Sequence, residues 1–342
     1  MEQERLQRAM ELFEVPEEFY EVSQLMVKEA EWELILAMGK EVVFESELKK
    51  RIREKKLAAD AADFIRNCYH RAIINKMPGG KEGVDLHQGV GSQDGEEAEQ
   101  GEMAYQISNL YGRFPFYAQY EYYDYGRKVS KEMKERLNAW DLEQYVGIFG
   151  DDVKAKMRGD DTHVHNSTFL TLEEAYAFAE KHEGHIHLHA CNCKSMMYYH
   201  ERPTCVCMEF YDGPNSEVDR GHGEALTVEE AKAKLKEFNK KGLMQNGEDY
   251  AICNCDGYCC YPLQMARQVG SKGMYPKSHY EIDWHEDECI NCGKCTKICN
   301  FGAFQKGEDK KVSYNKELCW GCTICAPNCP KGAIHLKPKA EE

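Results

Sequence analysis

The sequence is short of basic charge. Its 44 Lys and Arg stand against 59 Asp and Glu, a formal balance of −15. A general phosphate-neutralising surface for nucleic acid is therefore not expected. Long apolar runs are missing too. No stretch approaches the roughly 18 residues a membrane helix needs, so membrane insertion is not expected. Residues Met1–Arg5 carry no apolar core of the secretory kind, and a cytoplasmic location is expected. No Gly-x-Gly-x-x-Gly follows a strand pattern, and Gly221-x-Gly223 lacks a third glycine. A nicotinamide or flavin held by this chain is thus not expected. Cysteine is almost absent from the first 190 residues, where Cys68 reads as a buried small hydrophobe.

After residue 190 the balance reverses. Sixteen of the 17 cysteines lie there. At 342 residues the chain is far above the small secreted class in which such density means disulfides, so metal ligation is the expectation. With 42% hydrophobic and 11% aromatic residues it has material for two or three packed domains.

The strongest pattern is a duplication. Cys289-x2-Cys292-x2-Cys295-x3-Cys299 recurs 30 residues later as Cys319-x2-Cys322-x2-Cys325-x3-Cys329-Pro330. The Gly302-Ala303 pair recurs as Gly332-Ala333. Three thiolates two residues apart let a tight loop wrap three corners of an iron–sulfur cube, while the fourth is carried away on the next helical turn. Zinc is the alternative, but its sites ordinarily use two separated pairs. The pattern resembles the bacterial two-cluster ferredoxin over roughly residues 280–338. The resemblance implies that Cys289, Cys292, Cys295 and Cys329 hold one [4Fe–4S] cluster, and that Cys319, Cys322, Cys325 and Cys299 hold a second. Asn300 stands where the usual motif has proline. Residues 280–342 carry nine Lys/Arg and ten Asp/Glu. Eight thiolates and two oxidised cores bring that segment to about −5, so a docking partner is expected to be locally basic.

Eight more cysteines lie upstream, as Cys191-x-Cys193, Cys205-x-Cys207, Cys253-Asn-Cys255 and Cys259-Cys260. An approximate repeat frames them. Thr171-Leu-Glu-Glu-Ala leads to Ala190-Cys-Asn-Cys, and Thr227-Val-Glu-Glu-Ala leads to Ile252-Cys-Asn-Cys. Each Thr-x-x-Glu is a capping box, predicting helices over 172–181 and 228–241. Residues 185–193 alternate as a strand would, which puts His185, His187, His189, Cys191 and Cys193 on one face. We expect at least one further [4Fe–4S] cluster here, held by Cys191, Cys193, Cys253 and Cys255. Cys205, Cys207, Cys259 and Cys260 are further candidates, and structural zinc is the alternative.

Toward the N-terminus, helices are expected over 17–38, 46–55 and 58–68, then strands over 69–76 and 103–110. The intervening residues 91–102 hold five acids, no bases and three glycines, a flexible tip. Three helices before a two-stranded hairpin are similar to a winged helix. The candidate recognition helix offers Arg66 against Asp60 and Asp63, which argues against DNA reading. Residues 111–150 are rich in aromatics and are expected to form packed core.

The expected fold class is α+β: a winged-helix-like domain (1–110), an aromatic-rich helical connector (111–160), a cysteine-rich α/β metal-binding domain (161–279) and a two-cluster ferredoxin domain (280–342). That order resembles four-iron dicluster proteins of anaerobic metabolism. The resemblance implies an iron–sulfur electron carrier, a subunit or partner of a redox complex, with a redox partner such as a flavoprotein. A cluster-bearing transcription regulator and a catalytic reductase with an open middle cluster are the alternatives.

Overall fold

A computed structural model describes residues 1–78, 101–160, 167–199 and 204–339. The chain is α+β and divides into two compact units. The first contains residues 1–141, 194–204 and 212–223; the second contains 142–193, 205–211 and 224–342.

In the first unit, strands β1 (Val43–Phe44), β2 (Ile74–Met77) and β3 (Ala104–Ile107) form an antiparallel sheet with β3 in the centre. Helices Glu29–Met38, Glu45–Glu54 and Ala61–His70 supply buried Leu34, Ile35, Leu48, Ile52 and Ile65. Asp60 starts the last helix by accepting from the Ala62 and Asp63 amides. That helix runs two residues past the expected 58–68, so strand begins only at Ile74. The returning strand likewise stops at Ile107, because Asn109 caps a helix beginning at Leu110. The acidic stretch 91–102 lies, except for its last two residues, outside the described residues.

The expected single helix over 17–38 is two helices and a 3-10 turn: Glu17–Phe19, Tyr20–Met26 and Glu29–Met38. The break has a cause that lies far away in sequence. Val27 and Lys28 are extended, and the Glu31 carboxylate accepts the Lys28 amide at 2.7 Å, opening a new helix. The stranded Met26 carbonyl accepts from Arg71 at 2.9 Å and from the fully buried Arg113 at 2.8 and 3.0 Å. Glu31 pairs with Arg71 at 2.8 Å, and Glu121 pairs with both guanidiniums. A buried arginine and a half-buried one thus satisfy a carbonyl that a continuous helix would have satisfied itself.

Four of the 111–125 aromatics are core, whereas Tyr123 is 61% exposed. Phe114, Tyr117, Tyr122 and Tyr125 are buried, and the Tyr125 hydroxyl donates to the Met196 carbonyl at 2.6 Å. The 212–223 segment is pinned by polar groups instead. Asn215 covers the edge of β2: its amide accepts from the Lys76 N–H at 2.8 Å and donates to the Lys76 carbonyl at 2.9 Å. Buried Arg220 donates to the Tyr69 carbonyl at 2.7 Å, to the Ile74 carbonyl at 3.1 Å and to the Asn75 side chain.

In the second unit, strands β4 (Thr168–Leu170), β5 (His187–Ala190), β6 (Cys205–Glu209), β7 (Glu224–Ala225), β8 (Met244–Gly247) and β9 (Ala251–Cys255) form one antiparallel sheet in the order β4-β8-β9-β6-β5-β7. Helices Leu172–Lys181 and Val228–Lys240 start at the two capping boxes, as the sequence predicts. Their Ala175, Ala179, Ala231, Leu235 and Phe238 pack with Ile186, Leu188, Val206, Met208 and Ile252. The expected strand over 185–193 is shorter. It ends at Ala190 after a register shift, and Cys193 lies in the short helix Asn192–Met196. The three histidines and two cysteines therefore do not share one strand face. His185 is exposed, His189 half-buried and His187 buried.

The same unit ends in two antiparallel pairs: β10 (Tyr280–Trp284) with β13 (Ile334–Pro338), and β11 (Phe304–Lys306) with β12 (Val312–Tyr314). Ile282, Phe304, Val312 and Ile334 form their shared core.

Arg220→Ala removes one donor each from the Tyr69 carbonyl, the Ile74 carbonyl and the Asn75 amide. We expect a loss of about 3 kcal/mol of unfolding free energy in urea denaturation. Asn215→Ala should cost about 1–2 kcal/mol and speed amide exchange at Lys76.

Candidate functional site

The two halves of the duplicated motif have the same backbone. In the first loop Asn291 and Gly293 are left-handed, at φ 56° and 73°; 30 residues on, Gly321 and Thr323 are left-handed, at 68° and 62°. This turns amides onto sulfur. The Asn291 N–H donates to Cys289 Sγ at 3.4 Å, and the Gly321 N–H to Cys319 Sγ at 3.3 Å. Gly321 has no room for a side chain, because a Cβ would meet the Ser278 hydroxyl and the Tyr280 carbonyl. Thr323 is β-branched and costly at positive φ; its hydroxyl donates to the Leu170 carbonyl at 3.1 Å, which holds it there.

Each loop faces a small hollow. The first is lined by Cys289, Cys292, Cys295 and Cys329, with Trp284, Val312 and Ile334. The second is lined by Cys319, Cys322, Cys325 and Cys299, with Ile282, Phe304 and Ile324. Three thiols of one motif and the fourth of the other thus meet in each. Burial pushes the Cys322 thiol up to about 12. Burial, then the nearby Cys289 and Cys292, pushes Cys295 up to about 11. Thiolates in these hollows need a cation to stabilise them. Four soft donors, apolar walls and N–H groups aimed at sulfur fit a four-iron cluster.

The four middle cysteines expected to hold a cluster, Cys191, Cys193, Cys253 and Cys255, lie together with three of the four further candidates. Cys207 pairs across strands with Cys253 and hydrogen-bonds to both Cys191 and Cys253. Cys193 hydrogen-bonds to Cys191 and feels Cys259; Cys260 hydrogen-bonds to Cys255 and feels Cys193. Ligand atoms of Cys255, Asp256 and Cys259 lie within 4.8 Å of one another. Seven thiols thereby form one continuous group: Cys191, Cys193, Cys207, Cys253, Cys255, Cys259 and Cys260. Cys205 stands apart, exposed, with Glu224 and Lys234 as its charged neighbours. Hydrogen bonding to Cys191 and burial push Cys193 well up. These buried soft donors also fit a metal cluster.

Sequence reasoning missed three groups beside these thiols. Burial, then Asp249, raises the Glu248 carboxyl to about 7. Burial, then Glu248, pushes up the Tyr275 hydroxyl; burial, then Tyr275, does the same for Tyr145. Both tyrosines also feel Cys260. Nothing in their local pattern marks them, since Tyr145, Glu248 and Tyr275 are far apart in sequence.

The Asn300 departure is explained here. Its amide donates to the Gly242 carbonyl at 3.1 Å, a bond proline cannot make. Asn328 likewise donates to the Asn239 side chain at 2.7 Å, Asn239 to Gln245 at 2.8 Å, and Gln245 to Asn254 at 2.9 Å. Asn254 is the centre of the second Cys-Asn-Cys. It is buried and donates to the Val206 carbonyl at 2.8 Å, whereas Asn192, centre of the first, is exposed.

Comparison with known proteins agrees with this geometry. Residues 282–336 match the 4Fe-4S dicluster domain. Over 57 residues (17% of this chain) the sequence is 40% identical to pyruvate synthase subunit PorD of Thermotoga maritima. Over 80 residues (23%) it is 34% identical to a polysulfide reductase subunit of Wolinella succinogenes. The sequence spans 58% and 41% of those two relatives. An uncharacterized ferredoxin of Methanocaldococcus jannaschii is 38% identical over 60 residues, 17% of this chain and 78% of that protein. No solved structure matches. Through its C-terminal residues 282–336 the chain belongs to the 4Fe-4S dicluster ferredoxins.

Proposed function

We propose that the protein relays single electrons through several [4Fe–4S] clusters, as a subunit or partner of an anaerobic redox complex. One observation supports this reading most: each C-terminal hollow is lined by three thiols of one motif and the fourth of the other. Cys289, Cys292, Cys295 and Cys329 would hold one cluster, and Cys319, Cys322, Cys325 and Cys299 the other. Cys191, Cys193, Cys253 and Cys255, with Cys207, Cys259 and Cys260 in the same group, would hold at least one more. Such clusters supply one-electron capacity at low potential. The chain's own groups then act on them: the Asn291, Gly321 and Ala303 amides donate to sulfur, at 3.4, 3.3 and 3.2 Å, and lower its electron density.

Within this reading the segments 1–110, 111–160, 161–279 and 280–342 are the functional parts. The first is winged-helix-like, supported by the helix, strand, helix, helix, strand, strand order of residues 29–107, which follow two further helices. With acids at Asp60 and Asp63 of its last helix, it is assigned no nucleic acid. The partner is a redox protein such as a flavoprotein with a locally basic surface, met in the cytoplasm. No described helix is long and apolar enough to cross a membrane.

One observation favours a second reading, a reductase with an open middle cluster. Glu248, Tyr145 and Tyr275 hold protons beside the seven-thiol group. A reduction that consumes protons needs such donors within reach of the electrons.

Cys299→Ala in the full chain, isolated without oxygen, should disturb the cluster at Cys319, Cys322 and Cys325 and leave the sequence-adjacent one. Electron paramagnetic resonance of the reduced protein checks this, and loss of the Cys289 cluster instead overturns the crossing. Cys207→Ala should remove about four irons per chain, whereas Cys205→Ala should leave iron and sulfide unchanged. Equal loss in both variants would contradict the seven-thiol grouping.

A pH dependence follows from Glu248. An unfolded carboxyl titrates near the ordinary value of 4.5, and the folded one near 7. Folding favours the protonated acid, so stability is lost as pH rises through that window. Glu248→Gln should flatten the fall in denaturation midpoint between pH 5 and 8, read by thermal melts of the holoprotein.

A further inference from the structure

The β10–β13 pair carries a group of side chains that the cluster reading does not use. Asp283 is opposite His335 in the antiparallel register, His285 follows the end of β10, and Glu288 closes the turn Glu286–Glu288. His285 Nδ1 lies 3.5 Å from Glu288 Oε1, and His335 Nε2 lies 3.7 Å from Glu288 Oε2. The imidazole centroids are 4.6 Å apart. All three ligand atoms lie within 4.8 Å of one another.

We propose that His285, Glu288 and His335 form a site for one exchangeable divalent transition cation of the zinc class. Zn–N bonds of about 2.0–2.1 Å place tetrahedral donors about 3.3 Å apart, close to the two separations seen. The donor set, two imidazoles and a carboxylate, suits zinc and its borderline neighbours rather than calcium or magnesium. A second observation points the same way. Asp283 Oδ2 is 3.1 Å from His285 Nε2, the nitrogen turned away from the site. A carboxylate behind a ligating histidine fixes its tautomer and presents the other nitrogen to a metal. Lys337 in turn pairs with Asp283 at 2.9 Å and keeps it ionised, its carboxyl held below the usual range. His285, Glu288 and His335 are half-exposed, which leaves a fourth position for water and a route for exchange.

The site also has a neighbour on which a dication would act. Trp284 and Ile334, between these residues in β10 and β13, line the first hollow, and Glu288 precedes Cys289. A double positive charge there favours the reduced state of whatever that hollow holds. This consequence, unlike the cation site itself, rests on the cluster reading.

The test uses the full-length holoprotein, isolated without oxygen, freed of loose metal and titrated with zinc chloride. Wild type should retain one more zinc per chain after gel filtration than His335→Gln or Glu288→Gln. Absorption at the zinc edge should give nitrogen and oxygen neighbours without sulfur. Asp283→Asn, which touches no metal, should weaken binding by about 10–100-fold with iron and sulfide unchanged. The midpoint potential of the Cys289 cluster should rise with zinc in wild type and not in His335→Gln. Equal zinc in wild type and both variants, or zinc ligated by sulfur, overturns the site. Full zinc uptake with iron missing would instead count against the cluster reading and leave the site standing.

Discussion

The second unit depends on one electrostatic constraint: buried thiols cannot be thiolates without a cation. The fold gathers fifteen thiols into groups of four, four and seven, all but Cys292 buried or half-buried. Burial pushes the Cys322 thiol up to about 12 and the Cys295 thiol up to about 11. An apolar side chain at each position would give a drier core at no electrostatic cost. The arrangement is stable as a metal scaffold and poor as anything else, because ligation replaces the lost hydration of sulfur with bonds to metal. Metal binding and folding are then one event for these loops. The left-handed Asn291 and Thr323 are tolerable because a cluster and a fixed neighbour over-determine them.

That constraint explains the polar bonds between the ferredoxin segment and the antiparallel sheet of the same unit. Electron transfer needs fixed separations, and apolar packing alone allows some slip. The chain Asn328, Asn239, Gln245 and Asn254 runs through the core and is hydrogen-bonded at each step. A buried amide without its partner costs about 1–3 kcal/mol, so each link resists sliding. Asn300 to Gly242 and Thr323 to Leu170 add two more fixed points. The second Cys-Asn-Cys therefore spends its asparagine on alignment, while the first leaves Asn192 at the surface. The two motifs look alike in sequence and play different structural parts.

The sequence was most legible where chemistry is local. Thr171 and Thr227 with their glutamates mark both helix starts, and the 30-residue duplication marks both C-terminal loops. It was least legible where a distant group decides. Nothing near Met26 predicts a break that Arg71 and Arg113 make good from 45 and 87 residues away. Alternation over 185–193 reads as one strand, but after a register shift at His189/Ala190 pairing ends at Ala190, and Cys193 enters a helical turn. The grouping of the middle thiols follows strand order β9-β6-β5, which places Cys207 between Cys253 and Cys191; pairing Cys-Asn-Cys with Cys-Asn-Cys could not foresee that. Glu248, Tyr145 and Tyr275 carry no motif, and only the fold brings them together.

The two C-terminal hollows differ in a way that gives the proposed relay a direction. Around the first, Cys292 is exposed and Ile290 is 56% exposed, an apolar side chain left in water beside a cluster loop. Around the second, Cys322 and Cys325 are buried and Trp320 stacks on Phe301 at 5.1 Å. Arg267 lies against both of those rings and donates to the Gly257 carbonyl at 2.9 Å, inside the loop that carries Cys255, Cys259 and Cys260. Gly257 is held so close that a Cβ there would lie 3.5 Å from Asn300, the residue after Cys299. Tunnelling falls steeply with distance, so in the proposed relay the exposed hollow would exchange electrons with a partner, and the buried one would link to the seven thiols. In that proposal the exposed Ile290 and the acidic Glu286, Asp287 and Glu288 beside it would form the docking face: an acidic rim that orients a locally basic partner around an apolar contact that excludes water.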